Sequence, residues 1–279
     1  MSAGEDGRVR VGGIEGVLLA RSARGDGRHQ VVSARIAGRE LVLKLYGRKR
    51  PRLPTALREF GHRFLVGKTG LGAEQRRDTE ARLLELWRAH GFAVPAVLAL
   101  PLPEPIAEPF LVIERIEGQS ADVRLRDAPE DQLAGPLARF AAEWSRRHAL
   151  AEALAEPGLV HAHPGFAHLI ERAGELVYLD FEYAYTDRRR VAQLVDVEIA
   201  GFVASLQRCA AARAQRLLLR LVAGYPERER LERVAALGAV GRFRARERVA
   251  RALPLLRGRG PRKLRESIAA LGAALGAGR

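Results

Sequence analysis

The sequence predicts an α+β fold in which a β-rich first part is joined by a short linker to a helical second part. Three observations carry this. Short apolar runs broken by glycine turns occupy residues 9 to 45. Apolar residues recur at helical spacing over Glu74–His90 and again over Leu133–His148. From Val191 to the end the pattern is helical throughout. The change of character falls near Gly118, so the expected division is 1–118 and 119–279.

Taken in order, Gly16–Ala20 reads as a strand, Ser22–Gly27 as a turn and Gln30–Ile36 as a second strand. Ala37-Gly38-Arg39 turns the chain into Glu40–Tyr46, which completes an antiparallel meander. A basic stretch follows, with a helix expected over Ala56–Leu65. An amphipathic helix from about Glu74 ends at Gly91, and strands are expected over Ala96–Leu100 and Phe110–Ile116, with a Pro-rich loop between them. Asp127-Ala128-Pro129-Glu130 has the form of a capped helix start. Leu133, Leu137, Phe140, Trp144 and His148 then mark one helical face. Leu159–Ile170 and Leu176–Phe181 read as extended segments around a glycine turn at Gly174.

Composition narrows the setting. The chain has 279 residues, 47% of them hydrophobic, which is ample for a packed core. No apolar run approaches the roughly 18 residues that a membrane span requires. The first residues lack the basic and apolar regions of a signal peptide. A single cysteine, Cys209, excludes an intrachain disulfide and a cysteine-built zinc cage. The expected location is therefore the cytoplasm. The net charge of +14 favours phosphates, anionic lipid or nucleic acid as neighbours, or it simply solvates the surface. Arginine supplies nearly all of it. The lysines are Lys44, Lys49, Lys68 and Lys263 alone, so a lysine on a buried strand is informative.

Lys44 is that lysine. It stands mid-strand between Leu43 and Leu45, where burial is costly without an anionic partner, unless the strand is an edge that points it to solvent. Glu80, on the following helix, can reach back to it or remain a solvated face residue. Asp180 ends the apolar run Leu176–Leu179, where a carboxylate can bind a divalent cation or merely open a turn. His161, His163 and His168 have spacings that admit zinc, but Pro164-Gly165 interrupts them and no HExxH helix accompanies them.

In this order the pieces resemble the protein-kinase-like superfamily: a glycine turn between strands, a strand lysine, a helix glutamate and an apolar strand ending in Glu114. A long helix, a His-rich loop and a strand ending in Asp180-Phe181 follow. Thr79–Leu84 with Gly91 and Pro95 looks like small kinases related to the tRNA-modification complex. Leu45–Arg48 with its basic insert is similar to lipopolysaccharide core kinases that act on Kdo or heptose. The resemblance spans roughly residues 14 to 206 and implies a bilobal fold with a β-sheet N-lobe and a helical C-lobe. It implies ATP and Mg²⁺ as cofactors, with Gly25 and Gly27 over the phosphates, Lys44 on the α- and β-phosphates, Glu80 orienting it, Glu114 at the hinge and Asp180 on the metal. Asp196 stands where these kinases brace the catalytic loop.

The chain also departs from that pattern. The family's catalytic aspartate and asparagine are replaced by His163 and His168. An imidazole at His163 can accept a proton, whereas His168 is a poor ligand for a hard cation. Phe181 is followed by Glu182, not glycine, so a rearranged site would draw on Glu182 or Asp187. Two readings stay open. One is a phosphotransferase acting on a sugar, glycolipid or other small hydroxyl acceptor, with His163 and Asp180 catalytic and Asp180 and His168 at the metal. The other is a pseudokinase, a nucleotide-binding regulatory or scaffold module. The basic insert Arg48–Arg52 and the Arg-rich tail suit an anionic acceptor or peripheral contact with the inner membrane surface. Nucleic acid, through Arg242–Arg246 and Arg257–Lys263, is the weaker expectation, because only Phe243 is interleaved.

Overall fold

The structure, a computed structural model, describes residues 7–21, 29–47, 68–69, 72–239 and 260–277. The fold is α+β, with an antiparallel sheet first and a mainly helical part after it. The chain divides into two compact units. One comprises Met1–Glu117 with Asp180–Ala184, the other Gly118–Leu179 with Tyr185–Arg279.

The first unit is built on a five-stranded antiparallel sheet of β1 (Arg8–Val11), β2 (Ile14–Arg21), β3 (Gln30–Ile36), β4 (Arg39–Leu45) and β5 (Phe110–Glu114). The β3–β4 turn is a two-residue loop. Ala37 and Gly38 both take positive φ, 49° and 75°, as the strand twist requires of such a hairpin. Alternation splits the sheet into two faces. Val32, Ala34, Leu41, Leu43, Leu45 and Val112 form a core cluster covered by Leu98, Leu100, Leu102 and Ile106. The opposite face carries Val31, Lys44 and Leu111 in one cross-strand row and Val17, Ser33, Val42 and Ile113 in the next.

Helix α1 (Ala73–Ala89) lies between β4 and β5 in sequence and buries Arg76, Glu80, Leu83, Leu84 and Trp87 along one stripe. The strand expected over Ala96–Leu100 is absent. The segment makes only an isolated bridge, Val97 to Ile113, with Leu98 N–H donating to Val112 O at 2.9 Å. Pro101 and Pro103 follow at once and supply no N–H to continue a ladder.

In the second unit, β6 (Gln119–Ser120), β7 (Leu169–Arg172) and β8 (Glu175–Tyr178) form a small antiparallel sheet. The helices are α2 (Ala121–Asp127), α3 (Glu130–Leu154), α4 (Val191–Cys209), α5 (Ala214–Ala223), α6 (Arg228–Ala239) and α7 (Gly260–Ala277). Leu133, Leu137, Phe140, Trp144 and His148 of α3 are buried, as their spacing predicts. The capped start expected at Asp127 is not found. Asp127 ends α2 and pairs with Arg126, and Pro129 holds Ala128 extended (φ −73°, ψ 149°), so α3 begins afresh behind it without a side-chain cap. Of Leu159–Ile170, expected to be extended, only Leu169 and Ile170 lie in a strand; the rest is irregular chain between and including short 3₁₀ turns at Pro157–Leu159 and Phe166–His168.

Candidate functional site

The first unit brings three of the predicted residues together. β4 directs Lys44 onto the sheet face opposite the core cluster, and Glu80 reaches it from the second turn of α1. Lys44 Nζ donates to Glu80 Oε2 at 2.7 Å and to Oε1 at 3.0 Å. Asp180 Oδ1 is 3.9 Å from the same ammonium, and its side chain is 25% exposed where those of Lys44 and Glu80 are nearly sealed. Asp180 follows β8 by two residues and takes a left-handed backbone, φ 65°, an uncommon conformation away from glycine.

Other groups complete the cluster. Tyr46, two residues beyond Lys44 on the same side of the chain, donates from its hydroxyl to Glu80 Oε2 at 2.6 Å. Glu182 Oε1 lies 3.1 Å from Lys44 Nζ and 3.0 Å from His29 Nε2. Its other oxygen, Oε2, accepts from Arg76 Nη1 at 2.9 Å. Arg76 is 1% exposed and also donates to Gly47 O. Burial alone would lower the pKa of Lys44, but Glu80, then Glu182 and Asp180, outweigh it and hold the ammonium above the ordinary lysine value. For Glu182, burial works to raise the pKa, yet the His29 ring and Lys44 hold the carboxyl well below its usual range. Burial and then the Glu80 charge push the Tyr46 phenol far up. Lys44 therefore stays charged and Glu182 ionised across the neutral range, with the Tyr46 phenol kept as a donor.

The remaining predicted residues are placed as follows. Glu114 ends β5 opposite Leu41 and accepts from Ala96 N–H at 3.2 Å, away from the Lys44 row. Gly25, Gly27, the insert Arg48–Arg52 and the helix expected over Ala56–Leu65 lie outside the described residues, as do Arg242–Arg246. His163 and His168 belong to the second unit, half-buried, with ring centroids 6.3 Å apart. His161 is buried, and its Nε2 meets Leu179 O at 2.9 Å. Among the described residues no group of three or more His, Cys, Asp or Glu is arranged to hold a metal ion.

The brace of the histidine loop also differs from expectation. Asp196 pairs with Arg233 of α6, at 2.9 Å. Glu198, two residues on, accepts from His161 N–H at 2.8 Å, from Trp144 Nε1 at 3.0 Å and from Arg147. Both carboxylates ride on α4, and Glu198 points inward, fully buried. Asp187 accepts from Arg189 N–H in a short turn of the second unit, so of the two substitutes considered for a rearranged site only Glu182 joins Lys44. Sequence reasoning had no purchase on Arg76, which is one arginine among dozens. Its place four residues before Glu80 on one helical stripe is the signal that was there to read.

A strand lysine is met by a glutamate from the helix between β4 and β5, with an Asp-Phe segment beside it in the same unit. Comparison with solved structures finds this chain similar to the following proteins. WaaP in complex with acyl carrier protein is 18% identical, covering 82% of this chain and 89% of that one at a TM-score of 0.43. A type VIII aminoglycoside-3'-phosphotransferase is 19% identical over 76% of this chain and 87% of its own, at 0.42. The Rio2 kinase of Chaetomium thermophilum, in an ADP/Mg²⁺-phosphoaspartate complex, is 16% identical over 94% and 73%, at 0.41. No family model matches the sequence, and no curated protein does.

Proposed function

We propose that this protein is a kinase-like phosphotransferase that binds Mg-ATP through its first unit and transfers the phosphoryl group to a hydroxyl on a sugar, a glycolipid or another small anionic acceptor. The observation that carries this is the Lys44–Glu80 pair: a buried ammonium, held charged and oriented, with Asp180 beside it as the more exposed carboxylate. Burying such a charge without a ligand to serve is costly, and an apolar pair of equal volume would do as well for stability. The sheet face that carries Lys44 also leaves Val17 half exposed, an apolar platform two strands away that suits a flat base.

The chemistry of the donors fits Mg²⁺ at Asp180, a hard oxygen ligand reached by solvent, and fits it poorly at the imidazole of His168. When bound, the ion would neutralise phosphate charge. The chain's own contribution is to hold the phosphates with Lys44 and to keep that lysine in place with Glu80 and Tyr46. His163 would take the proton of the acceptor hydroxyl as the oxygen attacks the γ-phosphorus and the bond to ADP breaks. Gly25 and Gly27 would cover the phosphates, and Glu114 would mark the hinge. The basic insert and tail would draw an anionic acceptor or a membrane surface. No helix among the described residues is long and apolar enough to cross a membrane.

One observation favours a second reading. His163 and His168 replace the oxygen-bearing residues that active kinases carry, so a nucleotide-binding pseudokinase retains the Lys44 cluster and needs neither histidine. Calorimetric titration with Mg-ATP, followed by incubation with γ-labelled ATP and crude lipopolysaccharide, tests both. Binding with label transfer supports the phosphotransferase; binding without transfer selects the pseudokinase; absence of binding removes both.

A further inference from the structure

Helix α1 grips the Asp180 segment at two points. Trp87 packs edge-on against Phe181, with centroids 4.8 Å apart, and Arg76 pairs with Glu182. Between them, on the same stripe, Glu80 holds Lys44. The two residues that follow Asp180 are thus both fastened to the helix that orients the lysine. Asp180, immediately before this double grip, takes a left-handed backbone, φ 65°, and an uncommon backbone persists where its surroundings over-determine it.

Glu182 is the unusual half of the grip. It is 6% exposed and is contacted by Lys44, Arg76 and His29, which come from β4, α1 and the start of β3. Among the described residues its carboxylate is the only one paired with Arg76, whose guanidinium is sealed from solvent. A sealed guanidinium without its carboxylate is strongly disfavoured, so Arg76 fixes Glu182, and Glu182 fixes the peptide that sets the direction of Asp180.

We infer that Glu182 is a positioning residue: through Arg76 it locks the Asp180 carboxylate beside Lys44 and so sets the affinity for the divalent cation of the bound nucleotide. This rests on the proposed nucleotide site. It assigns Glu182 no contact with the metal.

The test is calorimetry on the full chain with ATP in the presence and absence of Mg²⁺, reading the ratio of the two affinities. Outer partners of metal ligands typically set metal affinity by about 10- to 100-fold, so Glu182→Gln and Arg76→Met are each expected to cut the ratio by about 10-fold or more. In Arg76→Met, which leaves the contacts to Lys44 in place, affinity for ATP without Mg²⁺ should move by less than about threefold; in Glu182→Gln, which also removes a charge beside Lys44, it should change by less than the affinity with Mg²⁺ does. Because the two residues act as one unit, the double variant should lose no more than about twofold beyond the worse single one. Glu182→Asp keeps the charge and shortens the reach; it should fold where Glu182→Gln does not, and give an intermediate ratio. An unchanged ratio in folded variants overturns the inference. So does a ratio lost in Glu182→Gln but kept in Arg76→Met, which would make Glu182 a ligand itself. A change in Mg-free affinity as large as that with Mg²⁺, in either direction, overturns it too. If the wild type binds no nucleotide, the proposed site falls and takes this inference with it. If the wild type binds and the variants match it, only the inference falls.

Discussion

Lys44 has carboxylates on three sides, and its burial makes each contact consequential. Tyr46 contributes through Glu80: the 2.6 Å hydroxyl bond to an ionised acceptor is of the strong kind. Tyr46→Phe should therefore lower unfolding free energy by about 1.5–3 kcal/mol in urea denaturation, with little change in volume. A loss under half that figure would show that Glu80 is held without it. A second residue-scale prediction concerns acid. His148 is buried among Tyr225, Glu198, Arg147 and Arg230; burial pulls its pKa down from 6.5 to about 4, against the pull of Glu198. Between those values the unfolded chain binds a proton that the folded chain refuses. Stability from this group is thus full above pH 6.5 and is lost as pH falls toward 4. At about 1.4 kcal/mol for each tenfold change in proton affinity, the loss is on the order of 3 kcal/mol. His148→Gln should remove that part of the slope when denaturation at pH 7 and pH 4.5 is compared with wild type; parallel slopes would contradict it.

Helices α1 and α4 show what an element does that its residues do not reveal singly. The period of α1 was plain in the sequence, and with it the possibility that Glu80 faces Lys44. The role of Arg76 on its stripe was not plain, because it reads as a surface charge until it is seen to be the partner, across 106 positions, of Glu182, which the sequence offered only as a substitute at a rearranged site. In α4, Gly201 lies against Pro164 of the histidine loop, and a Cβ there would meet the ring's Cγ at 2.4 Å. Gly201→Val should destabilise the second unit by about 1–3 kcal/mol through overpacking and displace the histidine loop, seen as altered His161 and His163 proton shifts by NMR. Unperturbed shifts would mean that the loop stays in place and the contact is relieved elsewhere. The same helix carried a misreading. The family resemblance assigns the loop's brace to Asp196, yet His161 N–H donates to Glu198, two residues on, while Asp196 pairs with Arg233. Spacing alone does not separate two carboxylates two residues apart on a helix buried on most sides.

For the whole molecule, the plan of sheet first and helices after was legible from the change in periodicity, since apolar alternation and helical spacing are local properties. The membership of Asp180–Ala184 in the first unit was not legible, because it is made by contacts between distant residues. Nor did the composition reveal how its arginines are used. Arg76, Arg147 and Arg230 are spent in buried ion pairs rather than on a basic surface. The functional account needs one thing of the molecule, that the scarce strand lysine exists to hold a nucleotide. Thermal denaturation of wild type and Lys44→Met during titration with Mg-ATP measures this directly. A ligand at 100 times its dissociation constant adds about 2.7 kcal/mol, which for a chain of this size raises the midpoint by several degrees. The account predicts a saturable rise in wild type and none in Lys44→Met, whatever the starting midpoint of the variant. Equal rises in the two proteins, or none in either, would contradict it.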